Sequence, residues 1–133
     1  MRAHPILLSL AVTLMITGGA CSRKPDVKST VSELEKAFQA PAGVPAAAAS
    51  APAGAAEAHE LVQTALAAAR TDDFANGVLA LQAARRQPGV SAEQLMVVQR
   101  TMQALTTDLA NRAASGDEKA LAQLKAIERT RSQ

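Results

Sequence analysis

Few side chains in this sequence could carry chemistry, and they are scattered. The 133 residues hold one cysteine, Cys21, and two histidines, His4 and His59. Glu57 and Glu60 flank His59, but a zinc ion needs three or four converging ligands. These three residues would point around different sides of a helix start, where the glutamates simply favour the positive end of the helix dipole. Asp72 and Asp73 are paired carboxylates of the kind that share acid and base work; their place in a break between helical segments reads as a source of N-cap oxygens. Ser91 has neither a G-x-S-x-G setting nor a partnered histidine and reads as a cap. Cys21 has no second cysteine for a disulfide and precedes any foldable segment, whereas a catalytic thiol needs a basic neighbour held in a pocket. No catalytic residue, metal site or cofactor is expected, and the chain does not read as an enzyme.

Charge and aromatic content narrow the partners. With 14 basic and 12 acidic residues the net charge is +2, and from Glu57 to Gln133 nine residues of each sign cancel. That balance is no basic footprint, and no nucleic-acid partner is expected. Phe38 and Phe74 are the only Phe, Tyr or Trp residues, so stacking platforms are missing and the core must be aliphatic. Arg85 and Arg86 would stand in the last turn of a helix, where cations meet exposed carbonyls favourably; the same pair would also suit an anion or a partner.

The first twenty residues supply an address. Arg2, the apolar run Ile6 to Ile16 and the small trio Gly18-Gly19-Ala20 have the three parts of a secretory signal. The string Gly18-Gly19-Ala20-Cys21-Ser22 resembles the signal region of bacterial lipoproteins, although Gly18 stands where an aliphatic residue is usual. The resemblance covers residues 1 to 22 and implies that Cys21 is diacylated and becomes the mature N-terminus. It also implies a lipid-anchored place in the cell envelope, on the periplasmic face or at the outer membrane, since Ser22 is no acidic retention signal. Gly18-x-Ala20 equally satisfies the small-x-small rule for an ordinary cleaved signal, which would leave a soluble exported protein. As an uncleaved helix, the uncharged residues 5–20 would span about 24 Å, short of the ~30 Å hydrocarbon core.

Past Cys21 the sequence predicts an all-α protein. Thr30-Val31-Ser32-Glu33 has capping-box spacing, and Val31, Leu34 and Phe38 recur at helical steps, which predicts a short amphipathic helix over residues 30–39. Its own domain, a second copy, the membrane or a partner could cover its stripe. Residues 40–56, rich in Ala and interrupted by Pro41, Pro45 and Pro52, read as a disordered linker able to hold a domain ~25 Å clear of lipid head groups.

Four helices in antiparallel hairpins are expected from residues 57–133. Their stripes are Leu61, Val62, Ala65, Leu66 and Ala69; Phe74, Val78, Leu81 and Ala84; Leu95, Val98, Met102, Leu105, Leu109 and Ala113 after a capping box at Ser91; and Leu121, Leu124 and Ile127. The run from Ala67 to Ala84, with Phe74 after an acidic turn, Gly77, Leu81 and Ala84, resembles the middle of a tetratricopeptide-type helix pair. Phe74, Gly77 and Leu81 are the expected helix-packing residues. A glycine inside a helix costs ~1 kcal/mol against alanine, so Gly77 is expected at a close crossing with the preceding helix, where Gly77→Ala would destabilise.

The expected role is that of a lipid-anchored extracytoplasmic binding module, with the membrane as one partner through Cys21 and an unidentified protein as another. The alternative is an envelope-associated helical protein that self-associates without a dedicated ligand.

Overall fold

The computed structural model describes residues 26–39 and 54–132. Within them lie five helices: α1 (Val27–Phe38), α2 (Ala55–Arg70), α3 (Phe74–Ala84), α4 (Ala92–Ala114) and α5 (Glu118–Arg131). No strand occurs among the described residues. The expected signal region, Cys21 and residues 40–53 of the expected linker lie outside them.

Four of the five helices start on a residue whose side chain accepts from an orphan N–H group. Asp73 begins α3, accepting from the Asn76 N–H at 3.5 Å, and Asp117 begins α5, accepting from the Ala120 N–H at 3.0 Å. Ser91 and Gln94 form the reciprocal capping box of α4 that their spacing predicts. Gln94 does more than cap. Its Oε1 accepts from the Ser91 N–H at 2.9 Å while its Nε2 donates to the Ala37 carbonyl at 3.1 Å, so one side chain opens α4 and pins the end of α1. At the start of α2, Gly54 adopts φ +106°, and a Cβ there would stand 2.7 Å from Pro88. Only glycine meets both demands.

The start of α1 differs from the expectation. Asp26, not Thr30, is its N-cap, accepting from the Lys28 N–H at 3.3 Å. Thr30 is buried one turn inside, its hydroxyl directed back at the Val27 carbonyl at 3.1 Å. The extra turn brings Val27 against the core beside Val31, and Glu33, predicted to complete a capping box, instead meets Arg100 of α4 at 2.9 Å.

Helices α2 and α3 form one hairpin and α4 and α5 another, with α3 packed on both α4 and α5. Helix α1 lies antiparallel along α4, as shown by the pairs Thr30 with Thr101, Glu33 with Arg100 and Ala37 with Gln94. Leu34 and Phe38 thereby join the same core as Val62, Leu66, Val78, Leu81, Leu105 and Ile127. The folded body therefore begins at Asp26, the cap of α1, only five positions after Cys21. Residues 40–53 join two helices of one core and do not separate Cys21 from it.

Two stripes are shifted from their predicted phase. In α5 the buried positions are Ala120, Gln123 and Ile127, while Leu121 is 43% exposed. In α4 Thr101 and Ala104 are buried, and Met102 is only half-buried. Helix α3 ends at Ala84, so Arg85 and Arg86 stand just past its last turn rather than within it. Helix α5 continues through Arg131 instead of fraying at Arg129.

Phe74, Gly77 and Leu81 are all buried, and Gly77 does face α2. The crossing is less tight than the sequence suggests. A Cβ at Gly77 would stand 3.5 Å from Leu105 Cδ1, 3.6 Å from the Ala65 carbonyl oxygen and 3.7 Å from Ala68 Cβ, which is ordinary van der Waals contact. Gly77→Ala is therefore expected to stabilise by up to about 1 kcal/mol through helix propensity, reversing the sequence-based expectation, as read by urea unfolding. Leu34→Ala, at a position 1% exposed, should cost about 2–5 kcal/mol in one cooperative transition. If α1 melted separately while the remainder kept its midpoint, α1 would not belong to the common core.

Candidate functional site

Polar side chains gather in two places, and the first serves the fold. Where the α2–α3 turn meets the α4–α5 turn, Arg112 Nη2 lies 2.8 Å from Asp117 Oδ2, with Asp72 at 3.7 Å and Asp108 at 3.9 Å. Its guanidinium carbon stands 5.8 Å from the centre of the Phe74 ring, a cation–π distance. The hydrogen bond to Asp117 and then the neighbouring carboxylate charges hold the Arg112 proton more firmly than usual. Asp117 lies below the ordinary carboxylate range, first because the Ala120 N–H donates to it and then because Arg112 does. These residues tie the two turns together.

Beside this cluster, Gln123 is buried and doubly bonded. Its Oε1 accepts from the Ala75 N–H at 3.0 Å and its Nε2 donates to the Asp72 carbonyl at 2.9 Å. The turn it braces contains Asp72 at φ +55°, a left-handed conformation that Asp tolerates better than most residues. Sequence patterning missed Gln123, because a polar residue breaks an apolar stripe.

The second place is a trough along α4. Helices α3 and α5 both run antiparallel to α4, so their C-terminal ends reach the same level, near Met102. One section of about 370 Å³ is lined by Arg85, Gln99, Met102, Gln103, Thr106 and Arg131 among others. An adjoining section of about 280 Å³ shares Arg85, Met102 and Arg131 and adds Arg86. In the other direction Gln99 and Gln103 continue into an open stretch bounded by Leu95 and Met96. Met96 is 65% exposed, a large value for an apolar side chain.

The seven described arginines divide by pairing, and three of the four without a carboxylate, Arg85, Arg86 and Arg131 but not Arg129, line the trough. Arg70, Arg100 and Arg112 each meet a carboxylate. Among the described residues Arg85, Arg86 and Arg131 meet none; Arg85 makes one long hydrogen bond, to Gln99 Oε1 at 3.5 Å. Chemically the trough offers guanidinium groups, amides and hydroxyls, a set of donors suited to an anion.

The sequence-level candidates do not converge. His59, Glu57 and Glu60 lie exposed at the start of α2, and the hollow beside His59 is lined by Phe38, Ala58, Gly89 and Val90. Asp72 and Asp73 follow the far end of that helix of 16 residues, about 20 Å from His59 at 1.5 Å per residue. No group of three or more His, Cys, Asp or Glu side chains able to hold a metal occurs among the described residues, nor does a helix long and apolar enough to cross a membrane. Arg85 and Arg86 join the trough, and their sequence signal was the paired basic residues at a helix end. Arg131 lacked such a signal, since only the packing of α5 brings it to Met102.

No protein-family model, curated protein or solved structure matches this chain.

Gln123→Ala is expected to leave the Ala75 N–H and the Asp72 carbonyl without partners and to cost about 1–3 kcal/mol in urea unfolding. A change within experimental error would show that water replaces the amide.

Proposed function

We propose that this protein is exported, held at a membrane by lipid on Cys21, and acts as a binding module whose contact surface is the trough along α4. The observation that carries the reading is the convergence of Arg85, Arg86 and Arg131, none paired with a carboxylate among the described residues, on one groove. Guanidinium groups with free donor forks recognise carboxylates and phosphates in planar, bidentate fashion. The anchoring half rests on the residues before Cys21, whose pattern is that of a lipoprotein signal.

The packing of α1 shapes what such an anchor would do. Asp26 is five residues after Cys21, and five extended residues reach at most about 18 Å. A lipid on Cys21 would therefore hold the domain close to the head groups rather than at the end of the Ala- and Pro-rich segment. The start of α1 would then face the membrane and leave other surfaces open to partners.

Intact mass and membrane fractionation test the anchoring. The mature wild-type chain is expected to begin at Cys21, carry acyl mass and sediment with membranes, while Cys21→Ser releases it. A wild-type chain that begins at Cys21 without acyl mass would leave export standing and remove the anchor.

A further inference from the structure

We infer that the occupant of the trough is an acidic segment of another protein that also carries an apolar side chain. This inference rests on the binding reading given above and deepens it by naming the partner's chemistry. Four observations support it: the trough's charge, length, apolar end and position relative to α1.

Charge comes first. Arg85 and Arg131 flank Met102 from opposite walls, Arg86 adds a third guanidinium, and the remaining lining is Gln, Thr and Met with no carboxylate in either section. Like charges brought together without counter-charges favour an anionic occupant. An isologous contact between two copies would set these arginines against each other, which disfavours a second copy.

Length separates a segment from a point anion. The α4 residues involved run from Leu95 to Thr107, about 18 Å at 1.5 Å per residue. A single phosphate would occupy one end of this distance, whereas a few turns of helix or a short extended peptide would fill it. The far end is apolar: Met96 is exposed beside half-buried Leu95. Methionine adapts its shape to varied apolar partners. An occupant that places carboxylates at Arg85 and Arg131 and an aliphatic side chain at Met96 would complement both ends.

Position separates a protein from the bilayer. Helix α1 covers the side of α4 that carries Val97, Arg100 and Thr101. At about 100° per residue, Gln99, Met102 and Thr106 lie roughly half a turn away. The arginine-lined section of the trough thus opens on the flank of α4 opposite to α1, the element nearest Cys21, and is turned toward soluble partners, while the apolar end at Met96 reaches round to Arg100 beside α1.

The test uses the full exported chain, purified in neutral detergent, and a dye-labelled peptide with Glu and Leu at helical spacing. A matched peptide with Gln for every Glu, inorganic phosphate, and neutral and phosphatidylglycerol-containing vesicles serve as comparisons. The Glu peptide is expected to bind and the Gln peptide to bind about tenfold more weakly or worse, the loss of several exposed ion pairs at once. A double Arg85→Ala and Arg131→Ala variant, with helicity unchanged by circular dichroism, should lose about tenfold for the same reason, and Met96→Ser a few-fold. Arg129→Ala, which removes one positive charge outside the trough lining, should bind as wild type. Equal affinity for the two peptides, no binding of the Glu peptide, or an equal loss in Arg129→Ala would overturn the proposal. So would phosphate binding without peptide binding, capture by anionic vesicles alone, or concentration-dependent dimers that the arginine variants abolish. None of these outcomes bears on acyl mass at Cys21, so failure of the anchor and failure of the trough are read separately.

Discussion

The bond between the two hairpins rests on one buried amide. Gln123 reaches from α5 to the turn between α2 and α3, accepting from the Ala75 N–H and donating to the Asp72 carbonyl. A turn at the end of a hairpin has backbone groups that its own helices cannot satisfy, and burying them unpaired would be costly. The requirement to satisfy them sets the rotation of α5. With Gln123 turned inward, Ala120 and Ile127 follow it into the core and Leu121 is left outside. Arg112 and its carboxylates reinforce the same corner from the surface, where exposed ion pairs add little individually.

Around that corner the core is built from small and medium side chains. Alanine at positions 58, 65, 75, 80, 84, 104 and 120 is buried, and Gly77 lies where α3 meets α2. Small residues let helices approach closely but bury little apolar area each. The compensation is the number of walls. Helix α3 is buried on nearly every side, and α4 is shared by α1, α3 and α5. Polar links serve as register pins between them: Thr101 to the Thr30 carbonyl at 3.2 Å and Gln94 to the Ala37 carbonyl at 3.1 Å fix α1 along α4. An apolar interface of alanines and leucines alone would specify that register weakly.

The docking of α1 alters how the two ends of the chain relate. An amphipathic helix of 12 residues is marginal alone in water, and its stripe is covered here by α2 and α4. The Ala- and Pro-rich segment that follows is therefore an internal connection, and any anchor placed at Cys21 would join the domain through the short stretch before Asp26. An anchor at Cys21, as proposed, would leave the arginine-lined section of the trough facing outward.

Much of this was legible in the residues. Caps at Asp73 and Ser91, the break at Asp72 and Asp73, and apolar steps of three and four placed the last four helices within a few residues, because these are local preferences of the backbone. The errors share one cause. Thr30 and Asp26 are both competent caps, Leu121 and Gln123 are both possible inward positions, and Gly77 can mean a tight crossing or a loose one; each choice depends on what stands across the interface. By itself the sequence determined the helical class and the hairpin order. Only tertiary structure decided that α1 belongs to the core, that Gln123 faces inward, and that Arg85, Arg86 and Arg131 meet. Those three arginines are separated by 45 positions between Arg86 and Arg131, and proximity at that range is a property of helix packing, which no local pattern encodes.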